Sequence, residues 1–273
     1  MFERISQKNL EDIAPALSER DRGVLSDIRK CRYLTTSQIR RLRFTDAATP
    51  DAGLRAANRN LNKLKGFGLI DALTRRIGGV RAGSGSLIWY ITDAGERMLC
   101  LGNHTMRPRK RFFEPSPHFL AHTLAVAECY IQLVEICSIR ALKLVSVEVE
   151  PKCWRLYNNK GAITTLKPDL SAVIHCGNFE DRYLFEIDLN TESPVTIVEK
   201  CRRYHDYYRD GLEQKQYGVF PLTVWIAPDK ARKDSLSEHI RAEFKKYPKI
   251  FIVITPEELE ALIRLGGDRK MLC

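Results

Sequence analysis

The sequence predicts two domains of different class. The first is an α+β domain of several helices closed by a two-stranded ribbon. The second is an α/β domain built on a mixed central sheet. Three observations carry this division. Apolar residues recur at helical spacing up to about residue 65, whereas alternating runs appear from Leu142 onward. Charge is uneven as well: residues 1–118 hold 22 Lys/Arg against 12 Asp/Glu, a difference of +10, while residues 119–273 hold 22 against 22. Between the two lies a basic, proline-punctuated stretch, Arg107-Pro108-Arg109-Lys110-Arg111 followed by Pro115-Ser116-Pro117, which reads as a connector. The expected domains are therefore residues 1–106 and 119–273, with a linker over 107–118. At 273 residues the chain is long enough for each domain to bury its own core.

The first domain opens with a short lead-in helix. Ser18, with Asp21 three residues on, forms a helix start close to a capping box, and Val24, Leu25, Ile28 and Cys31 mark the buried face. Tyr33-Leu34-Thr35-Thr36 breaks this helix, and Thr36 is the expected cap of the next, which holds Ile39 and Leu42. A third helix follows from Asp51 to Lys65. In it Leu54, Ala57, Leu61 and Leu64 recur at helical spacing and should face inward. Arg55, Asn58, Arg59 and Asn62 then occupy the other face, with Lys63 near the end. Arg and Asn are the side chains that pair bidentately with guanine and adenine edges in the major groove. Gly66-Phe67-Gly68 ends the helix. Two strands, Ile70–Ile77 and Leu87–Thr92, flank a glycine-rich tip, and Thr92 caps a further helix.

Three helices followed by a ribbon, with Leu64-Lys65-Gly66-Phe67-Gly68-Leu69-Ile70 and Trp89-Tyr90-Ile91-Thr92-Asp93-Ala94-Gly95, resemble the winged helix-turn-helix family. The resemblance implies a third helix in the DNA major groove and a wing against the backbone or minor groove. Arg75, Arg76 and Arg81 are the wing candidates, and Arg109, Lys110 and Arg111 are candidates for phosphate contacts from the connector. The concentrated positive charge favours DNA over a purely protein-binding role for this domain.

Several function classes recede on composition. The eight cysteines form no CxxC pair and no metal-ligand spacing, so they read as reduced thiols of a cytoplasmic protein. No signal-peptide pattern is present. The apolar run from Phe119 to Cys137 is interrupted by His122, Glu128, Gln132 and Glu135, so it reads as a core helix, and no membrane role is expected. His118 and His122 have zinc-compatible spacing, but no Glu follows His118 and the HExxH pattern is absent.

In the second domain the expected order is a helix over Phe119–Ile136, a strand over Leu142–Val149, and a strand at Trp154–Tyr157 turned by Asn158-Asn159-Lys160-Gly161. A hairpin of Leu170–His175 with Tyr183–Leu189 follows. The chain then continues with a helix over Val195–Arg209, a strand over Leu222–Ala227, a helix over Ser235–Lys246, a strand over Ile250–Ile254, and a closing helix over Pro256–Leu265. In a strand, positions 186 and 188 point to one face, so Asp188 is expected beside Glu186. Lys200 and Tyr204 are four apart and share a helix face.

This order resembles the common core of restriction-endonuclease-like domains. Pro168-Asp169 and Glu186-Ile187-Asp188 follow the PD-(D/E)xK pattern, with Asp where the lysine usually stands. The resemblance implies Mg²⁺ or Mn²⁺ held by Asp169, Glu186 and Asp188, and phosphodiester hydrolysis. Lys200 on the following helix is the expected substitute for the motif lysine, Tyr204 is a supporting residue, and Glu128 is a candidate further acid. Tyr204, Tyr207 and Tyr208 could suggest a covalent tyrosine mechanism, but the histidine cluster of such relaxases is absent. Tyr208, continuing the stripe of Ile197, Cys201 and His205, is expected in the core.

Across residues 18–255 the chain resembles the replication-relaxation family of plasmids and integrative elements. The resemblance rests on Phe119-Leu120-Ala121-His122-Thr123-Leu124-Ala125-Val126-Ala127, on Lys167-Pro168-Asp169, on Glu186-x-Asp188-x-x-Thr191-Glu192-Ser193, and on Lys200-x-x-x-Tyr204-x-x-Tyr207-Tyr208. That family is similar in fold plan to MobC-type relaxases. Double-stranded DNA is the partner this implies, at an origin of transfer or replication, with other proteins of the same element and a second copy of the chain as further partners. Two activities stay open at this stage. One is metal-dependent nicking. The other is non-enzymatic DNA binding by a degenerate nuclease fold, which the missing motif lysine favours.

Overall fold

The computed structural model describes residues 5–73, 87–101, 113–138, 142–245 and 249–265. The chain divides into two compact units, Met1–Ile131 and Gln132–Cys273. The division falls inside the helix Pro117–Cys137, later than the start at 119 expected from sequence.

The first unit begins with α1 (Gln7–Ile13), a 3-10 turn at Ala14–Ala16 and α2 (Glu19–Cys31). The Ser18 cap of α2 is a complete capping box with Asp21, and its buried face includes Val24, Leu25, Ile28 and Cys31. β1 (Leu34–Thr35) leads directly into α3 (Thr36–Arg43). Here the cap is Thr35, which forms a capping box with Gln38. The expected cap, Thr36, instead accepts a hydrogen bond from the Trp89 indole at 2.9 Å, which satisfies a polar group inside the core.

α4 (Pro50–Gly66) starts at the Thr49 cap with proline in its first turn, where a missing N–H costs nothing. Ala57, Leu61 and Leu64 are fully buried, as their spacing predicts, but Leu54 is 38% exposed. Gly53 takes the inward place in that first turn, where an added Cβ would stand 3.1 Å from the Phe44 carbonyl oxygen and 3.2 Å from the Arg40 side chain, tighter than ordinary contact. β2 (Ile70–Ala72) and β3 (Ile88–Ile91) pair antiparallel, and β3 also pairs with β1, giving the order β1-β3-β2. α5 (Asp93–Leu99) is capped by Thr92. α6 (Pro117–Cys137) is long and apolar enough to cross a membrane. Its Leu120, Val126, Ala127, Cys129, Tyr130 and Ile131 are nonetheless buried in the fold.

The second unit is a mixed α/β structure. Its strands are β4 (Leu142–Val149), β5 (Arg155–Asn159), β6 (Ala162–Leu166), β7 (Leu170–Cys176) and β8 (Phe179–Ile187). Then come α7 (Pro194–Asp210), α8 (Leu212–Tyr217), β9 (Leu222–Ile226), α9 (Lys230–Glu243), β10 (Phe251–Ile254), a 3-10 turn at Pro256–Glu258 and α10 (Leu259–Leu265). The central sheet has the order β10-β9-β8-β7-β4. β8, β9 and β10 run parallel, whereas β7 and β4 are antiparallel to their neighbours. The mixed central sheet expected from sequence is therefore present.

β5 and β6 form a separate hairpin. Its two turn residues, Lys160 and Gly161, both have positive φ, as a tight two-residue hairpin turn requires. The expected strand at Trp154–Tyr157 is thus half of a ribbon. α8 had no counterpart in the sequence reading, and α9 begins five residues before the expected Ser235, at the Asp229 cap.

α7 packs on one sheet face. Ile197, Val198 and Cys201 join Trp225, Leu236, Ile240 and Val253 in one apolar cluster, while Tyr204 and Tyr207 join Tyr157, Leu166 and Leu184 in a second. Burial on this scale contributes about 1.5–3 kcal/mol for each large side chain, which fixes the pitch and rotation of α7 over the strands.

Candidate functional site

The geometry of the second unit starts at the junction of β7 and β8. Leu170, the first residue of β7, lies opposite Phe185, and Asp169 precedes it just outside the strand. The Asp169 amide donates to the Phe185 carbonyl at 3.0 Å, and the Ile187 amide donates to Asp169 Oδ2 at 2.8 Å. Asp169 Oδ2 is thus bonded to the residue after Glu186, and its charge acts on the Glu186 carboxyl, so the two carboxylates are neighbours. Glu186 is two residues from Leu184, which packs against Tyr204, so its face of the sheet is the one covered by α7. The Tyr204 hydroxyl donates a hydrogen bond to Glu186 Oε1.

Lys200 lies one helical turn before Tyr204, on the same side of α7. Its ammonium is 2.7 Å from Glu192 Oε2 and 6.0 Å from the ring centre of Trp225. Burial opposes the lysine charge, but Glu186 and Glu192 outweigh it and hold the ammonium above its ordinary pKa. Glu186, only 5% exposed, is pushed well above the usual carboxylate range by burial and then by the charge of Asp169, with Lys200 and Tyr204 pulling the other way. Burial and the neighbouring Glu186 likewise push the Tyr204 phenol well up, so it stays a hydrogen-bond donor. Asp169, Glu186, Lys200 and Tyr204 are thus brought together as their sequence positions suggested.

Asp188 does not join them as a third ligand. β8 ends at Ile187, and Asn190 takes a left-handed conformation with φ of 58°. The Asp188 amide still donates to the Ile226 carbonyl of β9 at 3.0 Å, so it is the engagement of its side chain that keeps it apart. Its carboxylate accepts from Arg232 Nε at 2.6 Å and Nη2 at 3.2 Å, and from the Asn190 amide at 3.0 Å. Both oxygens are committed to a buried ion pair, which is costly to break. Glu128 is not a further acid of this site either, because it pairs with Arg41 and accepts from Gln38 Nε2 at 3.2 Å within the first unit. The buried tyrosines of α7 are Tyr204 and Tyr207; Tyr208, the expected core residue, is half-buried.

Two residues of this region carried no functional reading in the sequence. Glu192 was visible only as part of the Thr191-Glu192-Ser193 pattern. Arg232 was hidden because α9 starts earlier than its apolar spacing shows; the signal that could have found it is the helix-capping Asp229, three residues before it.

Among the described residues, no group of three or more His, Cys, Asp or Glu side chains is arranged to hold a metal ion. Asp169 and Glu186 nonetheless suit a hard divalent cation. Mg²⁺ is commonly bound by one or two carboxylates, with water and substrate phosphates completing its shell.

In the first unit, α4 presents Arg55, Asn58, Arg59 and Asn62 together on its exposed face. None of the four has a hydrogen-bond or ion-pair partner among the described residues. Lys63 differs. It is 2.7 Å from Asp21 and donates to the Ala16 carbonyl at 3.1 Å, so it serves as a brace between α2 and α4. Arg75, Arg76, Arg81, Arg109, Lys110 and Arg111 lie outside the described residues.

Among solved structures, the restriction endonuclease FokI bound to DNA is similar at 12% identity and a TM-score of 0.27, over 97% of this chain and 46% of that one. This chain spans less than half the length of that enzyme, and a likeness of that size carries no argument. No curated protein matches the sequence. A family model, described as replication-relaxation, matches residues 25–223. That span takes in α4, the Asp169–Glu186 pair, Glu192 and Lys200, and on it the chain belongs to the replication-relaxation family.

Proposed function

We propose that this protein binds double-stranded DNA of a mobile element through its first unit and nicks one strand with its second. The observation that carries the reading is the nearness of Asp169 to Glu186, with the charge of Lys200 on α7 acting on both. The order of α2, α3, α4 and the ribbon of β2 and β3 supports a winged helix-turn-helix in the first unit, with α4 as the helix that reads the groove. The order of β7, β8, α7, β9, α9 and β10 around Asp169 and Glu186 supports a restriction-endonuclease-like second unit.

In this reading Asp169 and Glu186 would hold Mg²⁺ or Mn²⁺, which supplies polarisation of the scissile phosphate and a water of lowered pKa. Each remaining role belongs to the chain. Tyr204 fixes the rotamer of Glu186. Lys200 places a positive charge where negative charge develops on the phosphate, and the half-buried setting makes that charge worth more than in water. Arg55, Asn58, Arg59 and Asn62 offer donors to base edges and phosphates.

The test is supercoiled plasmid carrying the element's own DNA, incubated with Mg²⁺, Mn²⁺ or chelator. Nicked circles are expected with metal alone, and Asp169→Ala or Glu186→Ala is expected to abolish them. Equal nicking by those variants would sink the assignment. A second reading, a DNA-binding regulator without catalysis, is favoured by one observation: Asp188 is bound to Arg232, which leaves two acids in place of three. It predicts salt-sensitive DNA binding and no nicking under any metal.

A further inference from the structure

Around the acids, one buried residue belongs to no step of the proposed reaction. Arg232 sits in the first turn of α9, where its own amide donates to the Asp229 cap at 2.8 Å. Its guanidinium leaves the helix and does two things at once. It grips both oxygens of Asp188, at 2.6 and 3.2 Å, and it donates to the backbone carbonyl of Glu192 at 2.6 Å. Arg232 is 8% exposed and Asp188 5%. The loop between β8 and α7 is therefore held at both ends, by its first residue and by Glu192. The side chain of Glu192 in turn holds Lys200 at 2.7 Å.

We infer that Arg232 and Asp188 are positioning residues of the acid site: they clamp the 188–193 loop so that Glu192 sets Lys200 beside Asp169 and Glu186. The inference rests on the reading that Lys200 is the site's cation. Arginine suits this work because its planar fork meets a carboxylate with two donors and keeps others for the carbonyl. A lysine at 232 can meet one of these acceptors but not both in the same geometry. The second acid of the Glu-x-Asp pair thereby acquires a role distinct from that of Glu186.

The experiment is acylation of the metal-free full chain by acetic anhydride at fixed pH, with Lys200 labelling measured by mass spectrometry relative to the other lysines. Glu192→Gln removes the partner directly, and Lys200 should label about threefold faster, on the scale of a half-exposed ion pair. Arg232→Lys and Asp188→Asn should move Lys200 in the same direction while the other lysines stay unchanged. Circular dichroism identifies the variants that fold, and Asp188→Asn retains the side-chain volume if Arg232→Lys is lost. Lys200 labelling unchanged in both folded variants would overturn the inference, as would an unchanged Glu192→Gln. A purely structural Arg232 would lower the melting temperature without touching Lys200. The readout needs neither metal nor DNA, so failure of the parent protein to nick plasmid would sink the nuclease reading and leave the labelling result standing.

Discussion

Asp21 offers the sharpest test of how α4 is held. Its Oδ2 accepts from the Ser18 amide at 2.7 Å, the Ser18 hydroxyl at 2.8 Å and Lys63 at 2.7 Å, while Oδ1 accepts from Asn60 Nδ2 at 2.6 Å. One carboxylate thus caps α2 and ties it to α4. Asp21→Ala removes half of the capping box, about 1 kcal/mol, and strips Asn60 of its acceptor in a partly buried place, another 1–2 kcal/mol or so. Lys63 is 40% exposed on its side chain and can turn to water, so its loss adds little. The expected cost is about 2–3 kcal/mol, or roughly 6–9 °C in the melting of this unit.

The pH dependence has a definite sign. Burial raises the pKa of Asp21, but the bonds from Lys63 and Ser18 outweigh it and hold the carboxyl below its ordinary value. A depressed folded pKa means the stabilisation is complete above the unfolded value of about 3.9 and is lost as pH falls through the folded one. Calorimetry of parent and Asp21→Ala should therefore show a constant gap from neutral pH down to about 5, closing below about 4. A variant as stable as the parent at neutral pH would refute the reasoning, as would a gap that persists undiminished in strong acid.

Further outcomes follow for other parts of the chain. Arg55→Ala and Arg59→Ala should each weaken duplex binding, by about 1–3 kcal/mol where the arginine meets a base edge, or with the salt slope reduced by about 1 where it meets a phosphate; fluorescence anisotropy across salt concentrations reads both. Tyr204→Phe removes the donor to buried Glu186 and should slow metal-dependent nicking about ten- to a hundredfold, on the scale of a bond to a charged group, with plasmid binding retained in a mobility-shift assay. Leu61→Ala should cost about 2–5 kcal/mol in urea unfolding, whereas Leu54→Ser, on the exposed face, should stay within about 0.5 kcal/mol.

Much of the fold was legible because it is locally encoded. The Ser18–Asp21 box and the Thr92 cap of α5 each sit within four residues of the helix they start. The β7–β8 hairpin could be read because Gly177 interrupts two apolar runs, and it has positive φ as a turn requires. Leu54 was misplaced because spacing counts only apolar side chains. The tight approach of Phe44 and Arg40 makes Gly53, which has no side chain, the inward residue. The start of α9 was missed because its first turn, Lys230-Ala231-Arg232, is polar, and only the tertiary partner Asp188 explains why Arg232 is buried. Asp169, Glu186 and Lys200 were legible as a set through the resemblance to the PD-(D/E)xK and replication-relaxation patterns, since local rules put Lys200 only beside Tyr204 and the packing of α7 is what carries both to the acids.

Local rules cannot distinguish the two acids of Glu186-Ile187-Asp188, and that distinction governs the electrostatics of the site. With Asp188 paired to Arg232, Asp169, Glu186 and Glu192 stand near the ammonium of Lys200, and burial together with the charge of Asp169 pushes the Glu186 carboxyl well above its ordinary range. A DNA phosphate approaching such a group brings like charge into a half-buried space, where repulsion is screened far less than in water. Lys200 alone cannot reverse that sign, since Glu192 already engages it. A divalent cation on Asp169 and Glu186 would cancel the local excess of negative charge and remove the repulsion that opposes phosphate approach. Metal-dependent association of short duplexes with the acid site, read separately from binding through α4 by using Arg55→Ala/Arg59→Ala protein, therefore discriminates between the two readings before any bond is cut. The nicking reading requires Mg²⁺ or Mn²⁺ to strengthen that association and Glu186→Gln to remove the effect; the regulator reading requires metal to leave it unchanged.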